Sequence, residues 1–550
     1  MRDRSRTQPS SSAPWAVLAL LAVLAFVAYV RLRVADVPLE RDEGEYAYAG
    51  QLILQGVPPY ELAYNMKFPG TYYAYAAILA VFGQSPWGIH VGLLLVNAAS
   101  IVLVFAVGRR LLGDLAAAVA AASFAILSLD RWIYGVFAHA THFVVLAAIA
   151  GLWLLLRAID TERWLGLFGS GVLFGLAMLM KQHAVFFLPL GAALLYWSDT
   201  RGGRRFDAAM AKRIGLMAVG WALPLGVLVV ALLAQGVWGR FWFWTIKYAS
   251  AYASEVGLSE AIPNLVEGLK AASMGNRALW VLGGIGLVAL WTARFEPWAR
   301  VVVTGFFIAS FLAVCPGFYF RQHYFITLLP AIALLCGVVV SSLEELLERA
   351  LPRAVATVLA LAVPFGAYGA YVTRERNYLF SMGTRELSRS VYGANPFIEA
   401  VALGKYIRER TDENDRVAVL GSEPEIYFYA DRKAATGYIY TYALMEPQPF
   451  ASKMQAEMIR EIESAHPLYL VFTWIDVSWL ATQDSDQGIV NWGREYVSKC
   501  YDPVGVADIV SEDESHVVWG EAAVRKYEAS SSNLVYTFRR KSDAPCTVDR

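Results

Sequence analysis

Residues 14–46, PWAVLALLAVLAFVAYVRLRVADVPLERDEGEY, set a membrane-length apolar run ahead of an acidic box, Arg41-Asp42-Glu43-Gly44-Glu45-Tyr46. A bilayer requires roughly 20 apolar residues, and the run that ends near Val30 meets that length. Carboxylates held beside a bilayer are expensive and as a rule carry a chemical task. Three acids within four residues, followed by Met66-Lys67-Phe68-Pro69, are a wasteful way to build a connecting loop. The box is read as the catalytic centre of a membrane protein.

The composition agrees with that class. Hydrophobic residues make up 57% of 550 and charged residues 17%, against roughly 25% charged in a soluble domain, and the mean hydropathy is +0.43. Basic and acidic residues balance at 47 each, so the charge gives no argument for a nucleic-acid partner. Apolar runs fall near 14–30, 85–107, 114–130, 139–156, 164–180, 184–198, 214–235, 278–293, 299–315, 324–341 and 353–373. They predict an α-helical polytopic protein with about 11 transmembrane helices. Residues 70–83 are a further span or a helix lying on the membrane surface.

Basic residues set the orientation. Arg2, Arg4 and Arg6, Arg109-Arg110, Arg157 and Arg163, Arg201 to Arg213, Arg294 and Arg300, and Arg349 and Arg353 fall on one side if the spans alternate. The positive-inside bias makes that side the cytoplasm. The N-terminus is then cytoplasmic, the first span is an anchor rather than a removed signal, and the acidic box, Lys67, the loop 236–277, Arg321 and everything after 375 lie outside. The expected location is the inner or plasma membrane.

After about 375 the composition becomes that of a soluble domain. Residues 397–411 carry helical periodicity, and 416–420, 468–473 and 534–538 read as strands. The chain is therefore divided into a transmembrane domain, 1–375, and an extracytoplasmic α/β domain, 376–550. Cys500 and Cys546 lie in the latter, where an oxidising compartment permits a disulfide, with two free thiols as the alternative.

Two readings of the acidic box stand together. Asp42 with Glu45 three residues on matches a helix N-cap and its capping-box partner, and a capped carboxylate is also held in place as a general base must be. The outer-side cations Lys67, Arg131, Lys181, Arg240, Lys247, Lys270, Arg277 and Arg321 stand where the charge bias disfavours them, which points to an anionic ligand; taken singly, most could equally snorkel to lipid headgroups. A polyprenyl-phosphate sugar fits, since its tail partitions into the bilayer and its phosphate needs charge stabilisation as it leaves. No Walker-type loop is present, so no nucleotide cofactor is expected.

Arg41-Asp42-Glu43 after the first span, Lys67-Phe68-Pro69, the run Gly-Leu-Ala-Met-Leu-Met-Lys-Gln at 175–182, and Phe318-Tyr319-Phe320-Arg321-Gln322-His323-Tyr324 with Leu-Leu-Pro at 328–330 resemble glycosyltransferase family 39 of the GT-C superfamily, over about residues 1–375. That family includes protein O-mannosyltransferases and lipid A aminoarabinose transferases. The resemblance implies transfer of a sugar from a polyprenyl-phosphate donor to a glycan, lipid or protein acceptor on the outer face, with inversion. It implies Asp42 as general base, Glu43 as its support, and Lys67, Arg321, His323 and Lys181 as contacts of the donor phosphate. Phe68 stands where the family's element has proline.

Many members of the family carry an acid at the outer start of the fourth span, where this chain has His139-Ala140-Thr141-His142. His139 and His142 could hold a divalent cation or contact the acceptor, with Asp130 supplying a carboxylate; two interfacial histidines and a local Asp130–Arg131 ion pair explain the same residues. Trp238, Phe241, Trp242, Phe243 and Trp244 read as an interfacial aromatic helix, or a lid over the site. Ser422-Glu423-Pro424-Glu425 and the aromatic-rich 427–442 are assigned to acceptor recognition or to stabilising the membrane domain. The alternative function is a flippase or exporter of lipid-linked sugars, which would more naturally place its charges midway through spans.

Overall fold

The computed structural model describes residues 13–201, 206–542 and 546–548. Arg2, Arg4, Arg6, Arg204 and Arg205 of the basic flanks lie outside the described residues. Contacts divide the chain otherwise than by a single cut. One compact unit comprises the residues up to Val34, His90–Leu228 and Val256–Ser381, and the other Ala35–Ile89, Val229–Glu255 and Met382–Arg550.

All eleven apolar runs are helical. Among the described residues six helices are long and apolar enough to cross a membrane, or seven if Leu258–Ser273 and Arg277–Thr292, bent by 117°, form one span; Gly70–Phe82, Asp114–Leu127, Trp164–Met180 and Pro297–Leu312 are shorter apolar helices. Leu329–Leu347 lies at the centre of the first unit, buried from Leu329 to Val340, and packs against Asp114–Leu127, Arg277–Thr292 and Arg353–Arg374. Gly171 and Gly175 let two backbones touch, since a Cβ there would stand 2.0 Å from the Met217 carbonyl oxygen and 2.3 Å from that of Trp221. Small residues at four-residue spacing are how membrane helices approach closely.

The loop 236–277 is two structures. Leu258–Ser273, in the first unit, exposes Leu258, Ile262, Val266 and Leu269, an apolar stripe at helical spacing suited to lying in a membrane surface. Trp238–Trp242, in the second unit, runs into a π-helix, Phe243–Tyr248. There Trp244 and Tyr248 enter the core with Tyr438, Leu444, Met458, Phe472 and Trp492. Of the five aromatic rings read as an interfacial helix or lid, Phe241 and Trp244 are covered by folded partners, Trp238 and Phe243 are half-buried and Trp242 is exposed.

The rest of the second unit is built on a six-stranded sheet of order β2-β1-β3-β6-β4-β5, with β1 Arg416–Leu420, β2 Lys433–Ala434, β3 Tyr469–Trp474, β4 Tyr501–Ile509, β5 Ser515–Trp519 and β6 Leu534–Arg540. β1 pairs in parallel with β2 and β3, and the β3–β6, β6–β4 and β4–β5 pairs are antiparallel. The helix Phe397–Arg408 matches the expected periodicity. Cys500 and Cys546 are joined in a disulfide. In the same unit, helix Arg41–Leu54 packs on helix Gly70–Phe82 and on helix Glu425–Ala430.

Candidate active site

The acidic box is the first turn of helix Arg41–Leu54, and its cap differs from the expected one. Glu40 is the N-cap: its side chain accepts from the Glu43 N–H while the Glu43 carboxylate accepts from the Glu40 N–H, a reciprocal capping box. Glu43 is fully buried in that role. Asp42 and Glu45 are therefore released from capping and point to another partner.

That partner is Lys67. Its Nζ donates to Asp42 Oδ1 at 2.8 Å and to Glu45 Oε2 at 2.6 Å, and lies over the ring of Tyr46 at 4.6 Å. Glu45 is fully buried and also accepts from the Tyr72 hydroxyl, whereas the Asp42 side chain keeps 23% of its surface exposed. Of the two carboxylates, Asp42 is the one a ligand can reach. The Tyr440 hydroxyl sits 2.9 Å from the Arg41 carbonyl oxygen and 3.2 Å from Asp42 Oδ1, sharing its proton between them.

Electrostatics follow from this burial. Desolvation raises the Glu45 carboxyl above the usual carboxylate range while Lys67 pulls it down. Burial opposes the charge on Lys67, but Asp42 and Glu45 outweigh it and hold the ammonium above the ordinary lysine range. Burial, then Glu45 and Asp42, keep the Tyr440 hydroxyl protonated. The result is an ammonium shared by two acids, with a phenol donor beside the outer one.

The backbone that carries Lys67 is fixed from below. Tyr60, fully buried, adopts φ 66° and donates its hydroxyl to the Lys67 carbonyl at 2.7 Å. A tyrosine in left-handed backbone is strained and persists only where its surroundings impose it. Tyr60 and Phe68 both pack on Phe241, at 5.4 Å and 5.5 Å between ring centroids.

The residues after the sheet's first strand clamp the box. Arg41 donates to the Ser422 carbonyl, to Asn395 Oδ1 at 2.9 Å and to Glu423 Oε1 at 3.4 Å. Glu423, fully buried, takes further bonds from Thr473 and Ser478. Gly44 is glycine because a Cβ there would lie 2.6 Å from the Glu425 backbone nitrogen. Glu425 is buried beneath it with no hydrogen-bond partner on either carboxylate oxygen, and burial followed by Glu423 raises its pKa well above the usual range.

The remaining expected residues lie in the first unit. Lys181 ends helix Trp164–Met180 and holds its ammonium 3.4 Å from the centroid of Tyr324. His323 meets the other side of this group, 4.8 Å from Tyr324 and stacked at 4.5 Å and 11° on His139. Arg321, exposed, precedes them in a loop where Gly317, Phe318 and Phe320 have φ of 77°, 55° and 45°. Two bulky residues held in left-handed backbone mark this loop as imposed by its surroundings.

Asp130 and His142 are placed differently from His139. Asp130 accepts from the Trp132 N–H at 3.0 Å and from Asn276 Nδ2 at 2.6 Å, anchoring a turn. His142 is buried within helix Ala140–Thr161. Among the described residues His139, His142 and Asp130 do not come together as a three-ligand set. Arg31, at the end of the first helix, is buried and donates to the Ser128 and Gly135 carbonyls, holding the turn before His139.

Sequence reading missed Tyr72 as a member of the site, took Tyr440 only as part of the aromatic-rich 427–442 assigned to acceptor recognition or to stabilising the membrane domain, and gave Glu45 only a capping role. The signal for Tyr440 was the tyrosine-rich run Tyr438-Ile439-Tyr440-Thr441-Tyr442.

Residues 66–234 match the family model of dolichyl-phosphate-mannose-protein mannosyltransferases. A Pseudomonas aeruginosa (strain UCBPP-PA14) undecaprenyl phosphate-alpha-4-amino-4-deoxy-L-arabinose arabinosyl transferase is 31% identical over 219 residues, covering 37% of this chain and 38% of that protein. The corresponding transferase 2 of Pseudomonas fluorescens is 30% identical over 215 residues, 37% and 36% of the two chains. The chain thus spans under two fifths of the curated relatives it matches. In fold it is similar to ArnT from Cupriavidus metallidurans bound to undecaprenyl phosphate, with TM-score 0.54, 18% identity and coverage of 84% of this chain and 93% of that one. It is likewise similar to the oligosaccharyltransferase of Archaeoglobus fulgidus, with TM-score 0.54, 13% identity and coverage of 93% and 74%. The matched segment, the partial relatives and the shared fold make the chain similar to lipid-phosphate-sugar glycosyltransferases of the membrane, and its apolar helices are those of a multi-pass membrane protein.

Proposed function

We propose that the protein transfers a sugar from a polyprenyl-phosphate donor to an acceptor at the extracytoplasmic face of the membrane, with inversion and with Asp42 as general base. The observation that carries this reading is the pair of acids bridged by Lys67, of which only Asp42 is open to a ligand. In the reaction the acceptor hydroxyl or amine gives its proton to Asp42 and attacks the anomeric carbon. The bond from that carbon to the phosphate oxygen breaks, and polyprenyl phosphate leaves with the electron pair.

Each neighbour has a role in holding Asp42 ready. Lys67 and Tyr440 hold it by hydrogen bonds that fix its orientation, while Glu40 and Glu43 cap the helix that presents it. In the first unit, Lys181 and His323 around Tyr324, with Arg321 in the strained loop, are the proposed contacts of the donor phosphate. The relatives named for undecaprenyl phosphate-linked aminoarabinose support a lipid-linked donor. The Cys500–Cys546 disulfide supports an outside location for its domain, since such bonds persist in oxidising compartments.

The test is transfer of radiolabelled sugar from polyprenyl-phosphate donors to endogenous membrane acceptors, comparing wild type with Asp42→Asn. Loss of a general base should lower the rate by roughly 10²–10⁴ with donor binding preserved. A variant that transfers normally refutes the role of Asp42. A wild type that consumes no donor while moving labelled lipid across liposome membranes replaces the transferase with a flippase.

A further inference from the structure

The second unit holds a cavity of about 180 Å³ that the proposed chemistry does not use. Its walls are aromatic: Tyr64 stacks on Trp244 at 5.7 Å and meets Tyr438 edge-on at 5.1 Å, with Phe243 beside them. Its polar groups are charged. Arg240 lies over the Tyr64 ring at 4.6 Å, Lys453 is exposed, and Glu457 accepts from the Tyr438 hydroxyl at 2.9 Å. We infer that this cavity binds one sugar ring of a saccharide acceptor.

Three features carry the inference. A pyranose or pentose ring offers an apolar C–H face to an aromatic wall and hydroxyls to charged donors and acceptors, the combination present here; an acyl chain would leave Arg240, Lys453 and Glu457 unused. Pockets for drug-sized ligands start at roughly 300 Å³, so 180 Å³ suits a single ring. Phe243 and Trp244 are supplied by the π-helix Phe243–Tyr248, a distortion that recurs at functional sites.

The cavity is also tied to the acidic box through the chain. The segment that gives Tyr64 to the cavity gives Lys67 to Asp42, and the segment that gives Tyr438 gives Tyr440. Tyr64 N–H donates to the Gly437 carbonyl at 2.7 Å, so the two segments are locked together. A ring seated in the cavity is thereby registered against the residues around Asp42. This assignment deepens the transferase reading and rests on it for the word acceptor.

The experiment is titration of the purified full-length protein in lipid nanodiscs, without donor, by methyl glucoside, methyl mannoside, methyl N-acetylglucosaminide and methyl xyloside, read by tryptophan fluorescence. At least one glycoside should give a saturable change. Phe243→Ala and Lys453→Ala should weaken it about tenfold, the loss of one stacking or charged contact, while Asp42→Asn binds as wild type. Lys453 is exposed, so its variant keeps the fold if Phe243→Ala does not.

The proposal is overturned if no glycoside gives a saturable change, if Lys453→Ala binds as wild type, or if a serine- and threonine-rich peptide saturates the signal where glycosides do not. Because binding is read without turnover, failure of the transferase reading is seen separately, as a wild type that binds glycoside yet consumes no donor. Transfer activity without glycoside binding removes the cavity's role alone.

Discussion

Lys67→Met separates two roles that Lys67 could play. The side chain has a similar length but no charge, so the perturbation deletes the hydrogen bonds of 2.8 Å to Asp42 and 2.6 Å to Glu45. A hydrogen bond to a charged group is worth roughly 1.5–3 kcal/mol, and breaking a fully buried ion pair costs about 3–5 kcal/mol. Only the Glu45 half is fully buried; the Lys67 and Asp42 side chains are 26% and 23% exposed, which discounts the outer bond. Glu45 escapes part of the cost by taking up a proton, for which its raised pKa already prepares it. The net loss of stability is therefore about 2–3 kcal/mol.

The pH profile is the sharper readout. Lys67 lowers the Glu45 pKa against the upward push of burial, so its removal raises that pKa further. Lys67 also bonds Asp42 directly, so its removal takes a cation from beside the proposed base, which must have its proton off to act. The acid limb of kcat/KM for sugar transfer should move to higher pH, with a loss of about 10²-fold at neutrality that alkaline buffer partly restores. Lys67→Arg should recover part of the rate. A Lys67→Met enzyme with lost rate and an unmoved acid limb refutes the tethering role and assigns Lys67 to the donor phosphate instead.

Three further outcomes follow from the same unit. Gly44→Ala should lower the thermal midpoint: the gain of about 1 kcal/mol in helix propensity is outweighed by a Cβ set 2.6 Å from the Glu425 backbone, an overpacking of roughly 1–3 kcal/mol, and a raised midpoint would show that the two helices can part cheaply. Tyr440→Phe removes the phenol donor to Asp42 and should cost about tenfold in kcat with little change in acceptor KM; a change in KM alone would place Tyr440 in binding. Cys500→Ser opens a loop of 46 residues, for which loop entropy predicts a loss of about 4 kcal/mol, so limited proteolysis should cut the C-terminal residues of the variant and of reduced wild type faster than those of oxidised wild type.

The helices were legible because long apolar runs in a membrane protein have one stable backbone, and all eleven runs are helical; of the described helices, six or seven are long and apolar enough to cross a membrane. Of the six strands, β1, β3 and β6 were read because each is a short apolar run. β4 was hidden by Pro503 and Gly505, which sit at a break in its register with β6, and β2 has only two residues. Composition marked Trp238, Phe241, Trp242, Phe243 and Trp244 as aromatic without telling which rings pack inward: Trp244 meets Tyr438 in the core, whereas Trp242 stays exposed.

The cap shows most clearly where local reading ends. Glu40 with Glu43 and Asp42 with Glu45 share the same three-residue spacing, and glutamate is a poor N-cap by preference, so the sequence favoured the wrong pair. What decides between them is not local. Lys67 lies 25 and 22 residues on and draws Asp42 and Glu45 to itself, and Tyr440, 398 residues on, closes on Asp42. With the cap supplied by Glu40, the helix start is fixed without using Asp42. The same turn can then hold its backbone still and leave one carboxylate exposed for chemistry, a division of labour that neither acid pair could perform alone.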